Sequence, residues 1–253
     1  MNKIRFLISA YQEIKNWYIV PLVYFGLLNR EYFILNFRNG LKCKLRTKST
    51  DIHAFANVWL TREYENVGFK IDEDISIIDV GAHVGLFALY ASQFCKNGKV
   101  FCYEPIKENF DLLQKNIEIN NLTNIIVYNK AVSSKKKKIK IFLDKDDSSA
   151  HSMFGNKTEF QEIESTSIQT IIDENNLKEC NIKLDCEGAE YEILQNIPKD
   201  YFKKIKKICL EYHIINENCD ELRSLKRTLN ENYLLTEFKT SPKLGLLFAK
   251  KNE

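Results

Sequence analysis

The chain has 253 residues, of which 44% are hydrophobic and 28% charged, so a packed core is available and global disorder is excluded. Lys and Arg number 37 against 34 Asp and Glu, and the formal charge of +3 makes no overall electrostatic case for a nucleic-acid or membrane-surface protein. The length fits one large α/β domain with an appendage, or two small domains.

The first 14 residues lack the long apolar centre of a signal peptide. Residues 17–28 are apolar but too short to span a bilayer, and Pro21 interrupts them. They read as a buried helix or a partner-binding face, open to a second copy of the chain, in preference to a membrane-surface helix. Residues 32–46 read as a β-hairpin turning at Asn39-Gly40, with one wet face. Together, residues 1–48 form a helix-and-hairpin appendage and residues 49–253 the main domain. Residues 51–64 read as a helix carrying Phe55, Val58 and Trp59.

From residue 75 the texture changes. Apolar strands at 75–80, 99–104 and 124–129 alternate with helices at 86–94 and 107–120, the pattern of a parallel sheet with crossover helices. The lysines at 135–138 read as a solvated turn or strand edge before an apolar run at 139–143. A polar surface loop carrying His151 follows over 144–158. Strand and helix then alternate again at 181–185, 189–196, 207–211 and 220–229, and 233–238 with 244–249 close the chain as an antiparallel pair at the sheet edge. The seven cysteines make no Cys-x-x-Cys pair and have no histidine at zinc-finger spacing, so they read as buried thiols of a cytoplasmic protein.

The sharpest local signal is Asp79-Val-Gly81-Ala82-His83-Val-Gly85, between a strand and a helix. Glycines there let backbone approach a ligand, and the free N–H groups of a helix start favour polar or anionic groups. The next strand ends in Glu104, where a carboxylate can accept both hydroxyls of a ribose, so an adenosine-type ligand is expected. A dinucleotide wants glycine where His83 stands, and Asp79 would repel its phosphates while suiting an ammonium group. This favours S-adenosylmethionine over a nicotinamide cofactor.

These residues, with Tyr103-Glu-Pro, Asn129-Lys-Ala-Val-Ser, Lys183-Leu-Asp-Cys-Glu-Gly-Ala-Glu190 and Leu210-Glu-Tyr-His213, resemble the FkbM-type methyltransferases over residues 50–215. The resemblance implies a Rossmann-like class I methyltransferase sheet, mostly parallel with an antiparallel last strand. It implies cofactor contacts at Tyr64, Asp79, Gly81, Ala82, His83, Gly85, Glu104, Pro105, Asn129, Ala131 and Asp185. His83 departs from the family pattern, which usually has Asn; both can donate a hydrogen bond, so binding should survive with altered pH dependence. The family's O-methylation of sugars, glycans and secondary metabolites implies a sugar or nucleotide-sugar acceptor; the balanced charge and the short apolar run add the expectation of no nucleic-acid partner and no membrane span.

Methylating an alcohol requires removal of its proton, by a base or with a metal. Asp185 ends one strand, and Glu211 and His213 end the next. One expectation makes His213 the base, with Asp185 or Glu187 orienting the acceptor. A second makes Asp185, Glu211 and His213 ligands of Mg²⁺ or Mn²⁺. Acceptor phosphates are expected near Lys183 or the Lys135 cluster. An RNA or protein methyltransferase, or a non-catalytic nucleoside-binding module, are the competing readings.

Overall fold

The computed structural model describes residues 3–142, 160–186, 188–214 and 219–252. The loop expected over 144–158, with His151, lies outside them, as does Glu187.

Helices α1 (Lys3–Glu13) and α2 (Ile19–Tyr24) precede the hairpin β1 (Tyr32–Asn36) and β2 (Lys42–Arg46). The hairpin pairs Tyr32 with Arg46 and Asn36 with Lys42, and Gly40 takes φ 98° in its turn. Its side chains alternate, with Phe33, Leu35, Cys43 and Leu45 buried. The outer edge of β2 is sealed: the N–H groups of Lys42, Lys44 and Arg46 donate to Asn120 Oδ1, Asn116 Oδ1 and Asp51 Oδ2 at 2.7, 2.7 and 2.9 Å. An otherwise open strand edge is thus covered by side chains of the following domain.

Where one helix is expected over 51–64, the chain makes α3 (Asp51–Phe55), a π turn (Ala56–Leu60) and α4 (Glu63–Asn66), the last two separated by Arg62 at φ 50°. Val58, Trp59 and Leu60 are all buried, and three consecutive buried residues do not fit one stripe of a regular α-helix. The wider turn turns Trp59 inward. Its ring lies 4.0 Å from Phe37 and meets Tyr90 edge-on at 5.3 Å, and its Nε1–H donates to the Leu86 carbonyl at 3.2 Å.

The main sheet begins with β3 (Ser76–Val80), α5 (Leu86–Ser92), β4 (Val100–Tyr103), α6 (Lys107–Glu118) and β5 (Ile125–Tyr128). Strands β6 (Ala131–Val132), β7 (Lys138–Phe142) and β8 (Phe160–Thr166) form a separate small sheet in the order β6-β8-β7. There follow α7 (Ile168–Glu174), β9 (Cys180–Leu184), α8 (Glu190–Gln195), α9 (Lys199–Phe202), β10 (Ile205–His213), α10 (Asp220–Asn230), β11 (Tyr233–Ser241) and β12 (Leu244–Lys251). Strand β8 and helix α7 were not foreseen. The polar alternation of β8 resembles a loop, although Ser167 marks the start of α7 by accepting the Thr170 N–H.

The seven-stranded sheet runs β11-β12-β10-β9-β3-β4-β5. Strands β3, β4, β5, β9 and β10 are parallel, and β12 is antiparallel to both neighbours, as expected. Ile77 joins the core shared with the hairpin and Trp59, whereas Ile78 and Val80 join the opposite core with α7, α8 and α10. Strand order reverses between β3 and β9, which opens a crevice at their carboxyl ends. No helix among the described residues is long and apolar enough to cross a membrane.

Because Trp59 joins the hairpin to the sheet core, Trp59→Ala is expected to cost about 3–5 kcal/mol, read from the urea midpoint at constant slope. A loss below about 1 kcal/mol would mean that the hairpin adds little to that core.

Candidate active site

Strand β3 ends in the turn 81–85, where Gly81, His83 and Gly85 take φ 74°, 50° and 88°. These glycines serve packing within the protein, and Gly81 also lines the crevice. A Cβ on Gly81 would sit 1.8 Å from the Asp185 carbonyl oxygen, and one on Gly85 would sit 2.5 Å from Leu113 Cδ1. The first lets the ends of β3 and β9 close on each other, and the second seats α5 on α6.

Asp79 is placed otherwise than expected. It is fully buried, and its ammonium partner is internal: Lys183 Nζ lies 3.0 Å from Oδ1 and donates to the Gly81 carbonyl at 2.9 Å. The Cys102 thiol faces the other oxygen at 3.9 Å. Burial alone would push the Lys183 ammonium towards neutrality, but Asp79 and Asp185 outweigh it and hold the charge firmly. Lys183 is therefore a strand-bridging cation on the crevice lining, already engaged by Asp79 and the Gly81 carbonyl. The Lys135 cluster is an exposed bend, with Lys137 paired to Glu192 at 3.3 Å.

The crevice is lined by Tyr64, Gly81, Ala82, His83, Glu104, Pro105, Ala131 and Asp185 of the expected set. Apolar walls come from Leu86, Phe87, Ile106, Val132 and Ile141. Gly85 and Asn129 stand behind it. Asn129 braces the turn after β4, donating to the carbonyls of Glu104 and Pro105 at 2.9 Å each.

Glu104 is 4% exposed and held from both sides, accepting the His83 N–H at 2.8 Å and the Ile106 N–H at 2.9 Å. Burial pushes its carboxyl up to about 7, against the pull of those two N–H groups. Asp185 keeps side-chain access to the crevice, 3.8 Å from Lys183 Nζ, and accepts from the Tyr64 hydroxyl at 3.3 Å. Burial, with Asp185 and Glu63 nearby, keeps Tyr64 a phenol and hence a donor. Glu63 adjoins Tyr64 at the start of α4. Burial and the Asp185 charge push its carboxyl up to about 8, so it is mostly protonated at neutral pH.

A second buried cluster was not foreseen. Arg46 clasps Asp51 through Nε and Nη2 at 3.0 and 2.7 Å, and Nη2 also reaches His83 Nε2 at 3.1 Å. The alternating basic arm 41–46 disguised Arg46 as a residue of the wet face. Burial lowers the His83 pKa to about 4, with Asp51 opposing and Arg46 assisting. The ring is neutral, and its Nε2 accepts from Arg46.

His213 stands one strand over, with Nδ1 3.6 Å from Glu190 Oε1 and Nε2 3.7 Å from Glu211 Oε1. Glu190 is fully buried and accepts the Cys186 N–H at 3.0 Å, pinning the loop after β9. Asp185, Glu211 and His213 do not form the expected cation site. Among the described residues no three His, Cys, Asp or Glu side chains converge on a metal position: His213 lies beside Glu211 and Glu190, while Asp185 turns to Lys183 and Tyr64.

Lys183→Met should strand the Asp79 charge in the core and cost about 3–5 kcal/mol in chemical denaturation, with Asp79→Asn in the same chain recovering part of the loss. Strictly additive effects would mean that the two groups are not coupled.

The methyltransferase FkbM domain family matches residues 79–233. Methyltransferase 1 of Beauveria bassiana is 22% identical over 173 residues, 55% of this chain, and the chain spans 65% of that relative's length. Among solved structures, a fibrillarin/Nop5p complex superposes with TM-score 0.51 at 13% identity, covering 78% of this chain and 82% of that one. TrmK of M. capricolum, solved with S-adenosyl-homocysteine, gives TM-score 0.45 at 17% identity, covering 76% and 68%. With the family match extending over more than half of its residues, on the sheet order described above, this chain belongs to the FkbM methyltransferase domain family.

Proposed function

We propose that this chain is an S-adenosylmethionine-dependent O-methyltransferase whose acceptor is a hydroxyl of a sugar, nucleotide-linked or part of a glycan precursor. The observation that carries the reading is the crevice itself: a buried carboxylate, Glu104, and a partly open one, Asp185, face one apolar-walled space at the strand-order reversal. The family membership supports methyl transfer, and the family resemblance supports the sugar acceptor.

The residues fit the cofactor's chemistry. Glu104 Oε2 accepts the His83 N–H, and Oε1 accepts the Ile106 N–H and, at 3.5 Å, the Asn109 amide, which leaves acceptor capacity for ribose hydroxyls. Asp185 offers a carboxylate for the amino-acid tail or for the acceptor hydroxyl. When bound, S-adenosylmethionine supplies a methyl group already activated by its sulfonium leaving group. What the chain adds is alignment and proton removal. Phe87, Ile106 and Val132 exclude water from the crevice walls. His213 is the proposed proton acceptor, because the carboxylates of Glu190 and Glu211 on its two sides stabilise the imidazolium that forms.

Incubation with S-adenosylmethionine and a panel of nucleotide-sugars, read by mass spectrometry, tests the reading. One acceptor should gain a methyl group, and Asp185→Asn should fold but lose most turnover. Methylation of RNA with no sugar product would transfer the chain to the competing class.

Glu104 adds a pH test. Its folded-state pKa is raised from 4.5 to about 7, so its protonated form favours folding, and that contribution is lost as pH rises through this window. Ribose hydroxyls donate to the ionised form. Calorimetric affinity for S-adenosyl-homocysteine should therefore rise by up to about tenfold between pH 6 and 8. Glu104→Gln should flatten that profile and weaken binding by about 1–3 kcal/mol. A flat profile in the parent protein would remove Glu104 from the ribose site.

A further inference from the structure

The charge of +3 conceals an asymmetry. Residues 1–48 hold nine Lys and Arg against two Glu, a net +7, while the remainder holds 28 basic against 32 acidic residues, a net −4. The same segment, which lies outside the family match, carries ten of the 14 exposed large hydrophobic side chains found among the described residues. The stretch 17–28, expected to be a buried helix or a partner-binding face, forms the short α2 and leaves Tyr18, Leu22, Tyr24, Phe25 and Leu27 exposed. Helix α1 adds Leu7, Ile8 and Tyr11, and the outer face of β1 adds Tyr32 and Ile34.

These residues belong to one fixed unit. Ile14 bridges Phe37, the Lys15 N–H donates to the Asn36 carbonyl at 2.7 Å, and Asn16 Nδ2 donates to the Ile34 carbonyl at 2.7 Å. Basic side chains interleave with the apolar ones. Arg38 lies 4.8 Å over the Tyr11 ring, Lys44 lies 4.1 Å over Tyr32, and Arg5, Lys15, Arg30 and Lys48 are exposed.

We propose that this N-terminal unit docks on the surface of an anionic phospholipid bilayer. Its cations meet the headgroups, and its aliphatic and aromatic side chains enter the acyl boundary without spanning it. Charge complementarity selects this occupant. A symmetric second copy would set +7 against +7. Nucleic acid would match the charge, but half of the exposed apolar side chains are Leu or Ile, with no ring on which a base can stack. Tyrosines beside basic residues suit the headgroup layer.

Co-sedimentation of the full chain with vesicles tests this independently of methyl transfer. Vesicles of phosphatidylcholine with phosphatidylglycerol should bind the chain at least about tenfold better than phosphatidylcholine alone, and added salt should weaken the binding. Phe25→Asp with Leu27→Asp, at positions 64% and 69% exposed, should abolish sedimentation and leave the melting temperature unchanged. Lys15→Glu with Lys48→Glu should weaken binding on the order of fivefold per reversed charge. Equal binding to both vesicle types, binding insensitive to the Phe25 and Leu27 changes, a dimer dispersed by those changes in the absence of lipid, or binding to RNA with none to vesicles would each overturn the proposal.

Discussion

Strands β3 and β9 part company above Gly81 and Asp185, and the Lys183 ammonium holds them together at that point. It rises from β9, pairs with Asp79 of β3 and caps the Gly81 carbonyl just beyond. The Asp185 carbonyl fills the space where a Gly81 side chain would be. Everything that faces the crevice is referred to this crossing. The turn 81–85 leaves β3 at an angle set by Gly81, and Asp185 is carried to the rim by the same backbone. A buried ion pair of this kind is weak evidence of net stability, since desolvation offsets most of the attraction. Its value here is geometric. It fixes the Lys183 ammonium of β9 between Asp79 and the Gly81 carbonyl at the end of β3.

That crossing explains why the motif was legible while the roles of its residues were only partly so. Strand, glycine turn, helix and terminal glutamate follow from hydrophobic period and spacing, and Glu104 and Asp185 both stand on the crevice lining. Asp79 was assigned to a ligand ammonium because a one-dimensional reading cannot see that Lys183, a hundred residues on, arrives beside it. Nor can it see that the Asp185 carbonyl and Leu113 pack on Gly81 and Gly85, since neither is close in sequence. The cation site failed similarly, because strand-end position says which residues are near the edge but not which way their side chains turn.

The fold was legible where the period was strong and illegible where burial was irregular. Ile77 and Ile78 separate to opposite cores as strand alternation demands. The stretch 51–64 defeats a helical period because three successive residues are buried in a π turn. Strand β8 hides because its outward residues are polar and its apolar ones few. Nor did a whole-chain charge disclose the basic N-terminal unit, since an acidic main domain cancels it.

The two halves of the molecule meet at His83. Its position in the turn requires φ 50°, which Asn and His tolerate better than most residues. Its backbone N–H is committed to Glu104, so what the side chain adds is Nε2, an acceptor for Arg46. Arg46 is held in turn by Asp51, whose carboxylate also takes the Arg46 backbone N–H. A charged imidazole would face a guanidinium at 3.1 Å, so burial and Arg46 both favour the neutral ring, against the pull of Asp51. The hairpin that carries the basic, apolar surface is thereby tied by one arginine to the turn that holds the Glu104 carboxylate. A displacement of β2 would be felt first at His83 and next at Glu104, along hydrogen bonds of 3.1 and 2.8 Å. The N-terminal unit does not line the crevice, but through Arg46 its hairpin and the turn beside the crevice share a frame.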